Sequence, residues 1–228
     1  MSSKNGKNHN LWYLQHGWGF DSSIWKDWIS LLPKTDQIIT TDRGYFGDPK
    51  EVKLGHQKVP IIISHSLGLH LLKDEILKKA DYLVIISGFD YFHPDQEHLE
   101  KRSKRIIESM IHKLDEDPWK LLSYFYQNCW YPFECPYSIP EKSFNQELLK
   151  NDLQFLNTHH LEKDKLKNLK KILILHGDSD RIVNIEIAKR LHRGLDNSMM
   201  HIKEKSGHSL LHTDPVWCLQ QINEFIKD

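Results

Sequence analysis

Apolar positions change their period repeatedly along this chain. Near-continuous apolar runs at 11–15, 37–41, 61–63, 82–87 and 171–176, and a weaker one at 198–202, are rich in the residues that favour strands. Between them, apolar residues recur at helical spacing. Ile24, Trp25, Trp28, Leu31 and Leu32 mark one helix, introduced by Asp21-Ser22-Ser23 as its cap. The spacing predicts further helices over 69–79, 99–114, 118–130 and 145–156. Strands that are apolar at every position, rather than at alternate ones, are covered on both faces. The pattern therefore predicts an α/β chain with a mostly parallel sheet of about six strands and helices on both sides.

Residues 88–170 interrupt this alternation, because no strand pattern separates the fourth run from the fifth. In such sheets ligands bind outside the carboxyl ends of the strands, so a helical insertion at this place predicts a lid. Its aromatic stretch, including Trp119, Leu122, Tyr124, Phe125 and Tyr126, lines a substrate channel or forms the lid's own small core. The whole chain, 1–228, reads as one domain carrying that insertion.

Composition narrows the functional classes. Lys+Arg and Asp+Glu are equal at 31 each, so no global field favours nucleic acid or an anionic membrane. A hydrophobic content of 39% contains no run long enough to span a bilayer, and the polar opening residues do not resemble a signal peptide. Cys129, Cys135 and Cys218 are odd in number and irregular in spacing, which points to reduced thiols in the cytoplasm. The fifteen histidines show no metal-ligand spacing, so no metal and no cofactor are expected.

Chemistry concentrates where the apolar runs end. Ile61-Ile62-Ile63 leads into Ser64-His65-Ser66-Leu67-Gly68, a sharp corner between strand and helix. Small residues flank the corner serine because a strained backbone there tolerates no bulk. Ser66 is either the nucleophile or a simple helix cap. The first run ends at His16-Gly17-Trp18-Gly19, where glycines let the backbone turn and leave the Trp18 N–H free. With the Leu67 N–H it would form a pair of donors for a developing oxyanion. His176-Gly177-Asp178-Ser179-Asp180 follows the fifth run and Ser206-Gly207-His208 the sixth. A serine hydroxyl needs a histidine to take its proton, and the histidine needs a buried carboxylate to fix its tautomer. Ser66, Asp180 and His208 supply that set, with Asp178 as the alternative acid.

These motifs, in this order, resemble the α/β-hydrolase superfamily along the whole chain. Ser64 stands where that family has the first glycine of its G-x-S-x-G corner. Within the superfamily, the Gly-Trp-Gly loop followed by a Trp-containing helix is most similar to the pimeloyl-acyl-carrier-protein methyl ester esterases of biotin synthesis. Their Phe-rich lid segment ending in Gln is matched by Ser123-Tyr124-Phe125-Tyr126-Gln127. The resemblance implies a serine esterase that frees methanol from a pimeloyl ester on an acyl-carrier protein. It implies substrate contacts from Trp18, Leu67, Ser123, Tyr124, Phe125, Tyr126, Gln127 and His208. It also implies a chain without the leading β-hairpin of larger relatives.

Carrier proteins are acidic, and Lys101, Arg102, Lys104 and Arg105 form a cluster that would dock one or be a solvated basic helix face. The expected state is a cytoplasmic monomer whose partner is the acyl-carrier protein. The same triad would equally serve a broad carboxylesterase, a thioesterase or a lyase of quinone synthesis. A binding protein of this fold, without catalysis, would have no use for all three triad residues.

Overall fold

The computed structural model describes residues 10–52, 54–55, 58–137 and 144–227. The polar opening stretch and part of the 88–170 insertion, residues 138–143, lie outside the described residues. Six parallel strands form one sheet: β1 (Leu11–Gln15), β2 (Gln37–Thr40), β3 (Val59–His65), β4 (Ala80–Ile86), β5 (Lys171–Gly177) and β6 (Ser198–Lys203). They lie in the order β2-β1-β3-β4-β5-β6, every neighbouring pair parallel. The order reverses between β1 and β3, and a crevice opens at the carboxyl ends of the strands at such a reversal.

The unbroken apolar runs resolve into two faces. Trp12, Leu14, Ile61, Ile63, Val84, Ile86, Leu173 and Leu175 point to one side and pack with Trp25 and Trp28. Their sequence neighbours Leu11, Tyr13, Ile62, Leu83, Ile85, Ile172 and Ile174 point to the other. This is the two-residue alternation of a strand with both faces covered.

On the first face lie α1 (Lys26–Leu31) and, at the end of the chain, α9 (Pro215–Lys227). Trp25 and Trp28 are core residues, and Trp28 donates its indole N–H to the Leu211 carbonyl at 2.7 Å. The second face is covered by α2 (Gly68–Leu71), α3 (Asp74–Leu77) and, after β5, α7 (Ile185–Arg193). The single helix expected over 69–79 is thus two. Leu72 and Lys73 are extended, and the break lets Leu69, Leu72, Ile76 and Leu77 all bury in one cluster.

Between β4 and β5 the chain carries α4 (Glu97–Glu116), α5 (Pro118–Trp130) and α6 (Gln146–Thr158). Their buried faces, Ile107, Leu114, Leu122, Phe125, Leu149 and Leu153 among them, merge with the core of the first face. The last part of the expected insertion behaves differently. Leu166 and Leu169 pass under the opposite face of the sheet, so the helices beside the crevice occupy only 97–158. A short helix, α8 (Leu210–Thr213), follows β6. No helix among the described residues is long and apolar enough to cross a membrane.

Candidate active site

The corner after β3 holds Ser66 in the left-handed region, at φ +54°. For a residue other than glycine that conformation costs roughly 1–2 kcal/mol. The Ser66 N–H is bonded to the Ile86 carbonyl at 2.9 Å, which extends the β3–β4 ladder one residue and fixes the corner. Space there is tight. A Cβ on Gly68 would stand 2.7 Å from the Gln15 and His16 carbonyls, and one on Gly17 would stand 2.8 Å from the His65 carbonyl. Ser64 fits where the usual motif has glycine because its buried hydroxyl turns sideways to the Val84 carbonyl, at 3.4 Å.

Ser66 Oγ lies 2.9 Å from His208 Nε2, and His208 Nδ1 lies 2.8 Å from Asp180 Oδ2. The N–H groups of Ile182 and Val183 donate to Asp180 Oδ1 at 2.7 and 2.9 Å. Burial alone would raise the Asp180 pKa. The charge and hydrogen bond of His208, the nearby His176 and the Val183 N–H outweigh it, and the carboxyl is held below its ordinary value. Asp178 sits exposed, bonded to Ser179 Oγ and the Lys205 N–H, so of the two carboxylates it is Asp180 that is hydrogen-bonded to His208.

His208 is fixed through its backbone as well. Its carbonyl accepts from Ser87 Oγ at 2.9 Å and from His65 Nε2 at 3.2 Å. Complete burial, and then the proximity of His208, push the His65 pKa well below the ordinary histidine value, so His65 is a neutral donor. One residue on, the Ser209 N–H donates to the Cys129 carbonyl at the end of α5, at 2.8 Å. Neither His65 nor Ser87 stood out in the sequence as a site residue. Their signal is positional: His65 ends β3, Ser87 follows β4 directly, and both reach the His208 carbonyl.

Trp18 lies across the crevice. Its N–H and that of Leu67 have no backbone acceptor among the described residues, which leaves both donors free. The Leu67 side chain is fully buried in the core, so only its backbone reaches the site. The Trp18 indole forms cavity wall, edge-on to Phe125 at 4.9 Å, and donates to the Leu149 carbonyl of α6 at 2.9 Å. Gly19, at φ +71°, makes the turn; Gly17 serves by close approach instead.

A cavity of about 160 Å³ opens beside Ser66, walled by Trp18, Phe92, Ile106, Ile107, Met110, Phe125, Leu153, Leu156 and Ile182, with Ser103 and Arg181 as further polar lining. Of the five lid residues 123–127, the structure brings only Phe125 to it. Tyr126 is buried and donates from its hydroxyl to the Gly19 carbonyl at 2.5 Å. Ser123, Tyr124 and Gln127 face outward, since a helix turns about 100° per residue and cannot present five consecutive side chains to one cavity. The contribution of α4 was missed, although Ile107, Met110 and Leu114 repeat at helical spacing.

The basic cluster on α4 divides in two. Lys101 pairs with Glu97, and Lys104 with Glu100 at 2.7 Å. Arg102 and Arg105 have no acidic partner among the described residues. With Lys113 and Arg181 they border an open groove of about 540 Å³ that shares Ile106, Met110, Phe125, Arg181 and Ile182 with the cavity beside Ser66. The Arg181 guanidinium stacks over the Tyr131 ring, 3.2 Å from its centre.

A family model described as TAP-like protein matches residues 146–228. A stretch of 68 residues is 40% identical to the uncharacterized hydrolase YugF of Bacillus subtilis; it covers 29% of this chain and 25% of that protein, about a quarter of its length. Among solved structures, the chain is similar to the hydrolase olei00960 from Oleispira antarctica, with a TM-score of 0.79 and 15% identity over 98% of this chain and 93% of that one. It is also similar to the esterase EaEST from Exiguobacterium antarcticum, with a TM-score of 0.76 and 14% identity over 96% and 92%. An enol-lactonase from Burkholderia xenovorans has a TM-score of 0.75 and 11% identity over 99% and 94%. At such identities the likeness is one of fold, and the fold is that of the α/β-hydrolases.

Proposed function

We propose that this chain is a serine hydrolase of carboxylic esters. The observation that carries the reading is the unbroken hydrogen-bonded line from Ser66 through His208 to Asp180. Ser66 Oγ attacks the ester carbonyl while His208 Nε2 takes its proton. The new oxyanion is met by the Trp18 and Leu67 N–H groups, each donor contributing roughly 3–4 kcal/mol to the transition state. The proton passes from His208 to the departing alcohol, leaving the acyl group on Ser66. Water then repeats the sequence: His208 takes its proton, the acid is released and Ser66 regains its hydrogen. The strained backbone of Ser66 also speaks against a pure binding role, because ligand binding alone gives no reason to hold a serine at φ +54°.

The narrower substrate is a methyl ester at the far end of a pimeloyl chain, carried by an acidic acyl-carrier protein in biotin synthesis. Its support is the sequence resemblance, the apolar cavity and the unpaired Arg102 and Arg105 beside the groove. In this reading 97–158 is the lid, the protein works as a cytoplasmic monomer and no metal or organic cofactor takes part. A p-nitrophenyl ester assay tests the broad reading: Ser66→Ala removes at least about 10⁴-fold of the rate, and equal rates for both proteins would end it. Pimeloyl methyl ester on the carrier protein tests the narrow one. Arg102→Glu with Arg105→Glu lowers its rate relative to that on a small ester. An unchanged ratio removes the docking role.

A further inference from the structure

The cavity beside Ser66 is apolar apart from two groups besides the nucleophile, Ser103 on α4 and Arg181. Ser103 belongs to a chain of hydrogen bonds whose direction is fixed at its far end. His93 is completely buried, and its Nε2 lies 3.3 Å from the Asn157 carbonyl. A carbonyl only accepts, so Nε2 carries the proton. Burial lowers the His93 pKa, the imidazole is neutral, and Nδ1 is therefore a bare acceptor. Ser103 Oγ, 2.8 Å from Nδ1, must donate to it. The single proton of the hydroxyl is spent there. No donor among the described residues reaches its lone pairs. Ser103 is half-buried and lines the cavity, so a donor on the ligand would find a free acceptor there.

We propose that Ser103 is a specificity residue: it accepts a hydrogen bond from a hydroxyl or amide N–H on the acyl chain, so the preferred esters carry such a donor. The inference rests on the broad hydrolase reading of Ser66 and competes with the pimeloyl ester as substrate, because the pimeloyl chain carries no such donor. Arg181 does not compete for the role, since its guanidinium only donates and is held flat against Tyr131.

The test uses p-nitrophenyl esters of ω-acetamido acids with two to six methylenes. Each is paired with the isosteric ω-acetoxy ester, which lacks the N–H. At one chain length the full protein favours the acetamido ester by about tenfold in kcat/KM, the value of one good hydrogen bond, and the gain lies mainly in KM. Ser103→Ala brings that ratio to about one, and Ser103→Thr, which keeps a hydroxyl, retains part of it. Because the ratio is internal to each variant, partial loss of folded protein cancels. A wild-type ratio near one at every length, or a ratio that survives Ser103→Ala, overturns the proposal while leaving ester hydrolysis in place. Nitrophenolate release no faster than in Ser66→Ala removes the hydrolase reading itself, and this inference with it.

Discussion

The carboxyl ends of the strands and the helices at 97–158 both form the crevice, but different forces fix their side chains. At the strand ends Ser66 is set by its own left-handed corner and Asp180 by the nearby Ile182 and Val183 N–H groups, while the His208 carbonyl is held by Ser87 and His65 at the ends of neighbouring strands. The cavity wall has no such local control. Ile107 of α4, Phe125 of α5 and Leu153 of α6 meet only because three helices pack together. The helices also differ in how they are tied to the sheet. The α5 end holds the Ser209 N–H, and α6 is joined to the strand loops through Trp18 and Asp152. Two polar ties of α4, Glu100 to Tyr91 and Ser103 to His93, go to residues that themselves lie between β4 and β5. Much of the triad geometry thus rests on strand-end backbone, and the cavity wall rests on the packing of helices.

The sharpest break in this comparison lies within the frame. Asp180→Asn keeps the shape of the acid but loses its charge and favours the wrong His208 tautomer, so kcat falls by roughly 10⁴-fold. Asp178→Asn, two residues away on the exposed side of the turn, leaves kcat within about twofold, since surface changes of this kind rarely exceed roughly 0.5 kcal/mol. Steady-state kinetics on one small ester decides it. Similar losses for both variants would mean that the whole turn, rather than one carboxylate, positions His208.

This contrast also explains what the sequence could reveal. Six strands, the corner serine, the acid and the histidine were legible because their signals are local: unbroken apolar runs, small residues at a corner, and an Asp or His just beyond a strand. Helix α5 was legible over its full length, since Asp117 caps it by accepting from the Lys120 N–H and Pro118 opens it. The cavity was not, because periodicity states which face of a helix is buried but not what it is buried against. Phe92, Met110 and Leu156 carry no mark that separates a cavity wall from an ordinary core. The split at Leu72 and Lys73 was hidden for the same reason, as one apolar pattern serves a long helix and two short ones alike.

The second break falls on the joint between the two regions. Asp152 of α6 is buried and accepts from Arg43 Nε and Nη2 at 2.8 and 2.7 Å, and from the Tyr45 hydroxyl at 2.5 Å. Asp152→Ala leaves a buried phenol and a guanidinium without their acceptor. Removing one partner of a buried pair costs about 3–5 kcal/mol, and the Arg43 side chain is 39% exposed, so about 2–3 kcal/mol is the expected loss. Urea unfolding measures it. A loss below about 0.5 kcal/mol would show that apolar packing alone seats α6.

The gentlest break is acid. His70 of α2 is wedged against Phe89, against Phe155 of α6 and against His159 just past its end, and donates from Nε2 to the Phe89 carbonyl at 2.9 Å. Burial, the largest cause, depresses its pKa to about 4 in spite of that bond and of Asp90 nearby. Between about 4 and the ordinary value near 6.5 the unfolded chain binds a proton that the folded chain refuses. Stability from this group is therefore complete above about pH 6.5 and drains away as the pH falls through that window. The expected loss is about 2 kcal/mol between pH 7 and pH 5, equivalent to roughly 4–8 °C in Tm. His70→Gln, which keeps a donor for Phe89 but does not titrate, should flatten the Tm profile over this range by a similar amount. An unchanged slope would place the acid sensitivity in other buried histidines, with His212, also depressed to about 4, next in line.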